Sequence, residues 1–189
     1  MDVLLGVFSA FGLSASAGLN AYIPLLVVGV LAHYTDLIKL TPPWDTLANP
    51  WILIMLGILL IIEMLADKLP AVNHLNDIVQ TFVRPVAGAI AFAASTNVVH
   101  GIHPLLAMAC GLLVAGSVHL VKSAAVRPAV TVATAGTGNV PVSIAEDATS
   151  TLVSLMSVLV PVAVAIIVAV LIIVLLWWWA RRTGKPESA

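Results

Sequence analysis

Charge is what this sequence has least of. Only 9% of its 189 residues are Asp, Glu, Lys or Arg, where a soluble domain carries about 25%. A surface so poor in charge cannot be mostly wet. Neither sign is in surplus: the net charge of −1 gives no reason to expect a nucleic-acid partner or a polybasic lipid-binding tail. Cysteine is nearly absent. Cys110 stands alone in an apolar run, which excludes an internal disulfide and a Cys-rich metal cluster and reads as a buried, inert thiol. Catalytic signatures are missing too, since there is no HExxH, no P-loop and no GxSxG. Ser14, Ser16 and Ser117 read as small packing residues rather than nucleophiles, and His100 and His103 as polar loop residues without carboxylate or thiolate neighbours. No catalytic residue, metal or cofactor is expected. A basic start is also lacking. Asp2 is the only charge ahead of the apolar residues 3–13, so that segment reads as mature membrane helix rather than a cleaved leader, despite the small residues Ser14-Ala15-Ser16-Ala17 behind it.

What fills the chain instead is apolar: 61% of residues are hydrophobic and the mean hydropathy is +1.11. About 20 apolar residues cross a bilayer core of about 30 Å. The first stretch, Val3 to Ala32, exceeds that length and is interrupted by Gly12, Gly18, Asn20 and Pro24. It is one kinked helix or two half-helices meeting near Gly18-Leu19-Asn20. A polar linker runs from His33 to Asn49, turning at Pro42-Pro43-Trp44, and a second span opens at Pro50-Trp51 and runs to Leu65. Residues 71–83 carry His74, Asp77 and Gln80 against Leu75, Ile78, Val79 and Phe82, a helical spacing with one wet face. Pro85 then opens a separate short apolar piece rich in Ala and Gly, which favours close helix approach. Pro104 starts another span through Leu120. Residues 128–150 are the least regular, read as an extramembrane loop or a re-entrant segment, and Leu152–Trp179 forms a long final span. Trp177-Trp178-Trp179 followed by Arg181-Arg182 is an aromatic belt with a basic anchor, which puts the C-terminus in the cytoplasm. The expectation is an all-α, polytopic transmembrane bundle of about five spans, with interrupted or re-entrant segments. It forms a single domain over 1–180 with a short basic tail at 181–189.

Two echoes suggest an internal two-fold repeat. Val83-Arg84-Pro85 recurs as Val126-Arg127-Pro128, and Gly18, Asn20 and Pro24 as Gly136, Asn139 and Pro141. Interrupted helices in corresponding places are a transporter pattern.

Ionisable groups inside membrane segments are costly and therefore functional candidates. Glu63 and Asp67 are four apart on one helix face, and His119 and Lys122 are three apart on another. Five carboxylates (Glu63, Asp67, Asp77, Glu146, Asp147) confront four basic groups (Lys68, Arg84, Lys122, Arg127), a near-balance that predicts pairing. With His74, His119, Asn20 and Asn139, these residues are the expected lining of one polar cavity that passes an ion or small solute. Proton coupling and a phosphate-bearing lipid headgroup both suit such groups, and the sign of the substrate stays open.

The run from Gly12 through Asn20 to Pro24 resembles the opening of a family of bacterial integral membrane proteins described only as a domain of unknown function. Glu63 with Asp67-Lys68-Leu69-Pro70, Thr81 to Gly88, and His119 to Arg127 with Asn139, Glu146 and Asp147 resemble the same family. The resemblance covers most of the chain and implies a compact polytopic domain in the bacterial cytoplasmic membrane, with no activity to carry over. The leading expectation is a small transporter or channel, homo-oligomeric and in contact with membrane lipids. The alternatives are an intramembrane lipid-modifying enzyme and a non-catalytic assembly or scaffold protein.

Overall fold

The computed structural model of the chain describes residues 2–68, 70–96, 102–159, 167 and 170–177, with side chains outside 2–5, 70–75 and 96. It is all-α. The first apolar stretch is two helices, α1 (Asp2–Leu19) and α2 (Tyr22–Tyr34), parted at Asn20-Ala21. The Asn20 side chain makes the break, because its Oδ1 accepts from the backbone N–H of Tyr22 at 3.1 Å and of Ile23 at 3.2 Å. That satisfies two donors a new helix leaves free, and Pro24 sits in the first turn, where its missing N–H costs nothing. A 3-10 turn, Trp44–Ala48, closes the linker and buries Leu47. Asn49 caps α3 (Pro50–Ala66) by accepting from Trp51 N–H at 2.9 Å.

The next helix corrects the sequence reading. α4 (Pro70–Thr96) runs unbroken with Pro85 inside it, where the sequence predicted a wet-faced helix ending near Val83 and a separate piece after it. Proline removes one backbone bond, but the small residues beyond Pro85 pack closely on α5 (Pro104–Val121), and packing outweighs propensity. Contact is so close that a Cβ at Gly88 would lie 2.9 Å from Gly111 O and 2.9 Å from Ser14 Oγ. Residues 128–150 are a second correction, being mostly helical rather than an irregular loop. α5 continues through a π-helical turn, Lys122–Val126, into α6 (Arg127–Thr134); a tight turn then leads into α7 (Asn139–Leu159). Thr131 and Thr134 return their hydroxyls to Arg127 O at 2.8 Å and Val130 O at 2.7 Å, so their polarity is absorbed within the helix. The turn passes through left-handed Ala135 (φ 49°) and Gly136 (φ 86°), where glycine carries no Cβ penalty. The helix that holds Leu152 thus begins at Asn139. Residues 170–177 are helical, whereas Trp178, Trp179, Arg181 and Arg182 lie outside the described residues.

Among the described residues, three helical segments are long and apolar enough to cross a membrane: Asn76–Ser95, Pro104–Thr134 and Asn139–Leu159. Gly6–Leu19, Tyr22–Tyr34 and Pro50–Ala66 are shorter and equally apolar. Helix α1 runs parallel to α5, where Ser14 Oγ donates to Gly111 O at 2.7 Å, and antiparallel to α7. On α1 and α7, Ser9 Oγ donates to Ser157 O at 2.6 Å, and Ser16 Oγ donates to Ser150 O at 2.8 Å and meets Ser154 Oγ at 2.6 Å. The interior is small or polar, built on Ala10, Ala17, Ala91, Ala115, Ser16, Ser150 and Ser154, while Ile54, Ile58, Ile61, Leu113 and Ile173 face outward. That inversion of the soluble pattern places every large polar side chain of the interior in one cluster.

Candidate functional site

The cluster forms where α1 ends, α2 begins, α3 ends and the π-helical turn interrupts the α5–α6 rod. Its hub is Asp67, just past α3. Asp67 Oδ2 lies 3.1 Å from Arg127 Nη2, 3.4 Å from Lys122 Nζ and 3.6 Å from Arg84 Nη2, while Oδ1 accepts from Asn76 at 2.7 Å. Each arginine also has its own glutamate. Arg84, fully buried on α4, donates through Nε (3.1 Å) and Nη2 (2.9 Å) to Glu63 Oε1, and Glu63 Oε2 accepts from Ala21 N–H at 3.2 Å. A carboxylate at the mouth of α2 also suits the positive end of the helix dipole. Arg127 bonds Glu146 Oε2 through Nη2, and Glu146 Oε1 through Nε at 3.3 Å. Lys122 donates to Asp67 Oδ2 at 3.4 Å and to the Leu19 carbonyl at 3.0 Å, one of those α1 leaves free at its end, and ion-pairs with Glu146 Oε2 at 3.0 Å.

The π-helical turn is what brings Lys122 and Arg127 together. Arg127 N–H bonds Lys122 O, so five residues close a single turn and the two side chains stack on one face. In an ordinary α-helix, five residues would turn them about 140° apart. Such π insertions occur often at functional sites.

His119 carries no charge in this arrangement. Arg84 Nη1 approaches its Nδ1 at 3.2 Å, and a guanidinium has no acceptor, so Nδ1 must be the unprotonated nitrogen. Nε2 then holds the hydrogen and faces Thr81 Oγ1 at 3.2 Å.

Of the residues expected from sequence, the structure joins Glu63, Asp67, Arg84, His119, Lys122, Arg127 and Glu146 in one contiguous network. Asn20 attaches at the edge, donating to Asp147 Oδ1 at 2.9 Å. Asp77 and Asp147 border the network without an ion pair within 4.0 Å among the described residues. Lys68 and Asn139 stand apart. Lys68 lines an open groove of about 460 Å³ between α2, α3 and α7, together with Asp147, and Asn139 accepts from Thr131 at 3.1 Å in the α6–α7 hairpin. His74 lies in α4, outside the residues whose side chains are described. The lining expected as an open polar cavity is a packed cluster beside this groove, whose other walls are mostly apolar (Ile23, Leu26, Val27, Leu60, Met64). Among the described residues, no group of three His, Cys, Asp or Glu is placed to hold a metal ion.

Sequence reading passed over Asn76 on α4, left Gln80 and Thr81 out of the candidate lining, and missed the serines that extend Glu146 and Asp147 into a buried stripe on α7. Ser143, Glu146, Asp147, Ser150, Ser154 and Ser157 recur every three or four residues and are all buried. That spacing was a readable signal of one polar helix face.

The sequence profile of a domain of unknown function, DUF4126, matches residues 7–181. No curated protein and no solved structure matches the chain.

Proposed function

The chain belongs to the DUF4126 family, a domain of unknown function, and from that premise we propose that it is a small integral membrane transporter or channel, passing an ion or small solute across its buried charge cluster. The observation that carries this reading is the combination of full burial with incomplete pairing. Arg84, Glu63, Asp67 and Lys122 are buried and ion-paired. Yet Asp77 Oδ1, Gln80 Oε1, Arg127 Nη1, Ser143 Oγ and Asp147 Oδ2 are buried at or near its margin without a hydrogen-bond partner. A network kept only to hold helices together has every member satisfied, because an unmet buried polar atom is destabilising. Unmet groups beside a charge hub suit a site that exchanges partners with a passing species.

The outward apolar residues and the long apolar helices support placement in a membrane. The proposed membrane is the bacterial cytoplasmic one, with residues 181–189 on its cytoplasmic side, a placement that rests on Arg181 and Arg182 following the Trp run. The helix break at Asn20 and the α6–α7 turn match the second sequence echo, and the Arg84–Glu63 and Arg127–Glu146 pairs match the first. Those echoes run in opposite order along the chain, so a simple tandem repeat does not generate them.

Purified protein reconstituted in vesicles of phosphatidylethanolamine and phosphatidylglycerol tests the reading. Flux of alkali cations, protons, chloride or phosphate above that of empty vesicles is expected, and it should fall when Asp67→Asn is introduced. Folded protein that passes none of these species sinks the proposal in favour of a scaffold.

A further inference from the structure

Two separate accounts of the cluster agree on what it lacks. The first is charge. Four buried carboxylates (Glu63, Asp67, Glu146, Asp147) meet three buried cations, Arg84, Lys122 and Arg127, and the half-buried Asp77 and Lys68 stand at the margin. The near-balance legible in the sequence depended on Lys68, which like Asp77 is half-buried and, among the described residues, forms no ion pair within 4.0 Å, and His119 is neutral by its hydrogen bonds. The three cations are engaged by Glu63, Asp67 and Glu146. Asp77 and Asp147 are the carboxylates left without an ion pair among the described residues, and Asp147 is the surplus of the buried set.

The second account is hydrogen bonding. Of the five buried polar atoms without a partner, four are oxygens and one is a nitrogen. The oxygens fall into two pairs. Asp77 and Gln80 are three apart on α4, and Ser143 and Asp147 four apart on α7, so each pair shares a helix face. Gln80 (3% exposed), Asp147 (6%) and Ser143 (0%) cannot look to bulk water for a donor. Acceptors are thus in excess where negative charge is in excess.

Resting on the transport reading above, we infer that the species handled by this site is a small monovalent cation, an alkali ion or a proton, held at Asp147 and Asp77. Oxygen donors of this kind suit hard cations, and one positive charge at either carboxylate moves the cluster towards neutrality in a medium where a net buried charge is costly. Asp147 faces Asp67, Lys122 and Lys68 as well as Asn20, and Asp77 faces Asp67, Arg127, Arg84 and Lys122. A cation at either position therefore meets attraction from Asp67 and repulsion from the lysine and arginines. That mixture favours release over permanent occupancy. An anion would need a donor surplus, and these atoms offer two unmet donors, Arg127 Nη1 and the Ser143 hydroxyl, against three oxygens that only accept.

The test has a binding arm and a flux arm, both on the full chain. Replacing choline by about 100 mM Na⁺ or Li⁺ at constant ionic strength should raise the melting temperature of the purified protein if the ion binds the folded state. In the same vesicles, ²²Na⁺ uptake and a pH-sensitive dye under an imposed pH gradient separate the alkali ion from the proton. Asp147→Asn keeps the bond from Asn20 but removes the charge, and should lower cation flux at least about tenfold. Asp77→Asn is the second variant where the first fails to fold. Chloride or phosphate flux without cation flux overturns the inference and leaves transport standing. Cation-dependent stabilisation without flux of any species overturns transport and leaves the cation site. Neither stabilisation nor flux overturns both.

Discussion

At the scale of single residues, burial sets how much each ion pair matters. Arg84 and Glu63 are 0% and 1% exposed, so neither water nor salt screens them. Leaving either alone in a low-dielectric interior costs about 3–5 kcal/mol, whereas removing both leaves no uncompensated charge in that pair. Glu63→Gln and Arg84→Gln should therefore each destabilise the protein by about that amount, read from denaturant unfolding in detergent micelles. The double variant should recover part of the loss, giving a coupling of about 1–3 kcal/mol in the cycle. Strict additivity would mean that the two side chains act independently and that the pair seen here is not a working unit. Recovery will be incomplete, because Arg84 also reaches Asp67 and His119, and Glu63 also holds Ala21 N–H.

At the scale of elements, helix α4 depends on small residues where it meets α5. A Cβ added at Gly88 would run into Ala115 Cβ, Gly111 O and Ser14 Oγ, two of them backbone or short rigid groups, whereas one at Gly57 on α3 would meet nothing within 4 Å. Gly57→Ala should thus be neutral or stabilising by up to about 1 kcal/mol through helix propensity. Gly88→Ala should be destabilising by about 1–3 kcal/mol through overpacking. Both are the same chemical change in a helix, so thermal melts of the two variants isolate packing from propensity, and equal shifts would refute the close approach. This contact was partly legible, since the Ala- and Gly-rich run after Pro85 signals intimate packing. Other features were hidden for definite reasons. Pro85 is a breaker by local rule, and only the neighbouring helix decides that α4 continues past it. The π-helical turn at Lys122–Val126 shifts one hydrogen-bond register and leaves no mark on composition. The balance of acids and bases was visible, but not the choice of partners, because Glu63 and Arg84 lie 21 residues apart and Asp67 and Arg127 60 apart. The α7 stripe was present as spacing and obscured by Gly136, Thr137 and Gly138 in the preceding turn and by Pro141 in the first turn of α7.

At the scale of the whole molecule, the alternating direction of consecutive helices fixes which connections lie together. The 3-10 turn packs by Trp44 against Ala10, Phe92 and Ala107, near the start of α1, the end of α4 and the start of α5, so the α2–α3 connection belongs to that end of the bundle. The charge cluster and the α6–α7 turn lie towards the other end. The rod from Pro104 to Thr134 has 31 residues, about 45 Å at 1.5 Å per residue, against a bilayer core of about 30 Å. Its surplus length falls in α6, where Thr131 and Thr134 are exposed, as is Thr137 in the turn beyond. The single native cysteine makes this arrangement measurable. Cys110 lies six residues into the rod, partly buried beside Phe92 and Ala107, and should resist a membrane-impermeant maleimide in intact vesicles. With Cys110 replaced by Ala, exposed Thr35→Cys and Thr137→Cys should each react, but from opposite faces of the membrane. Vesicles of known orientation distinguish the faces, and detergent should make both sites reactive together. Labelling of both from the same face would mean that the rod does not cross the bilayer. In that case the charge cluster would sit at a surface, and the cost that makes its unpaired carboxylates informative would disappear.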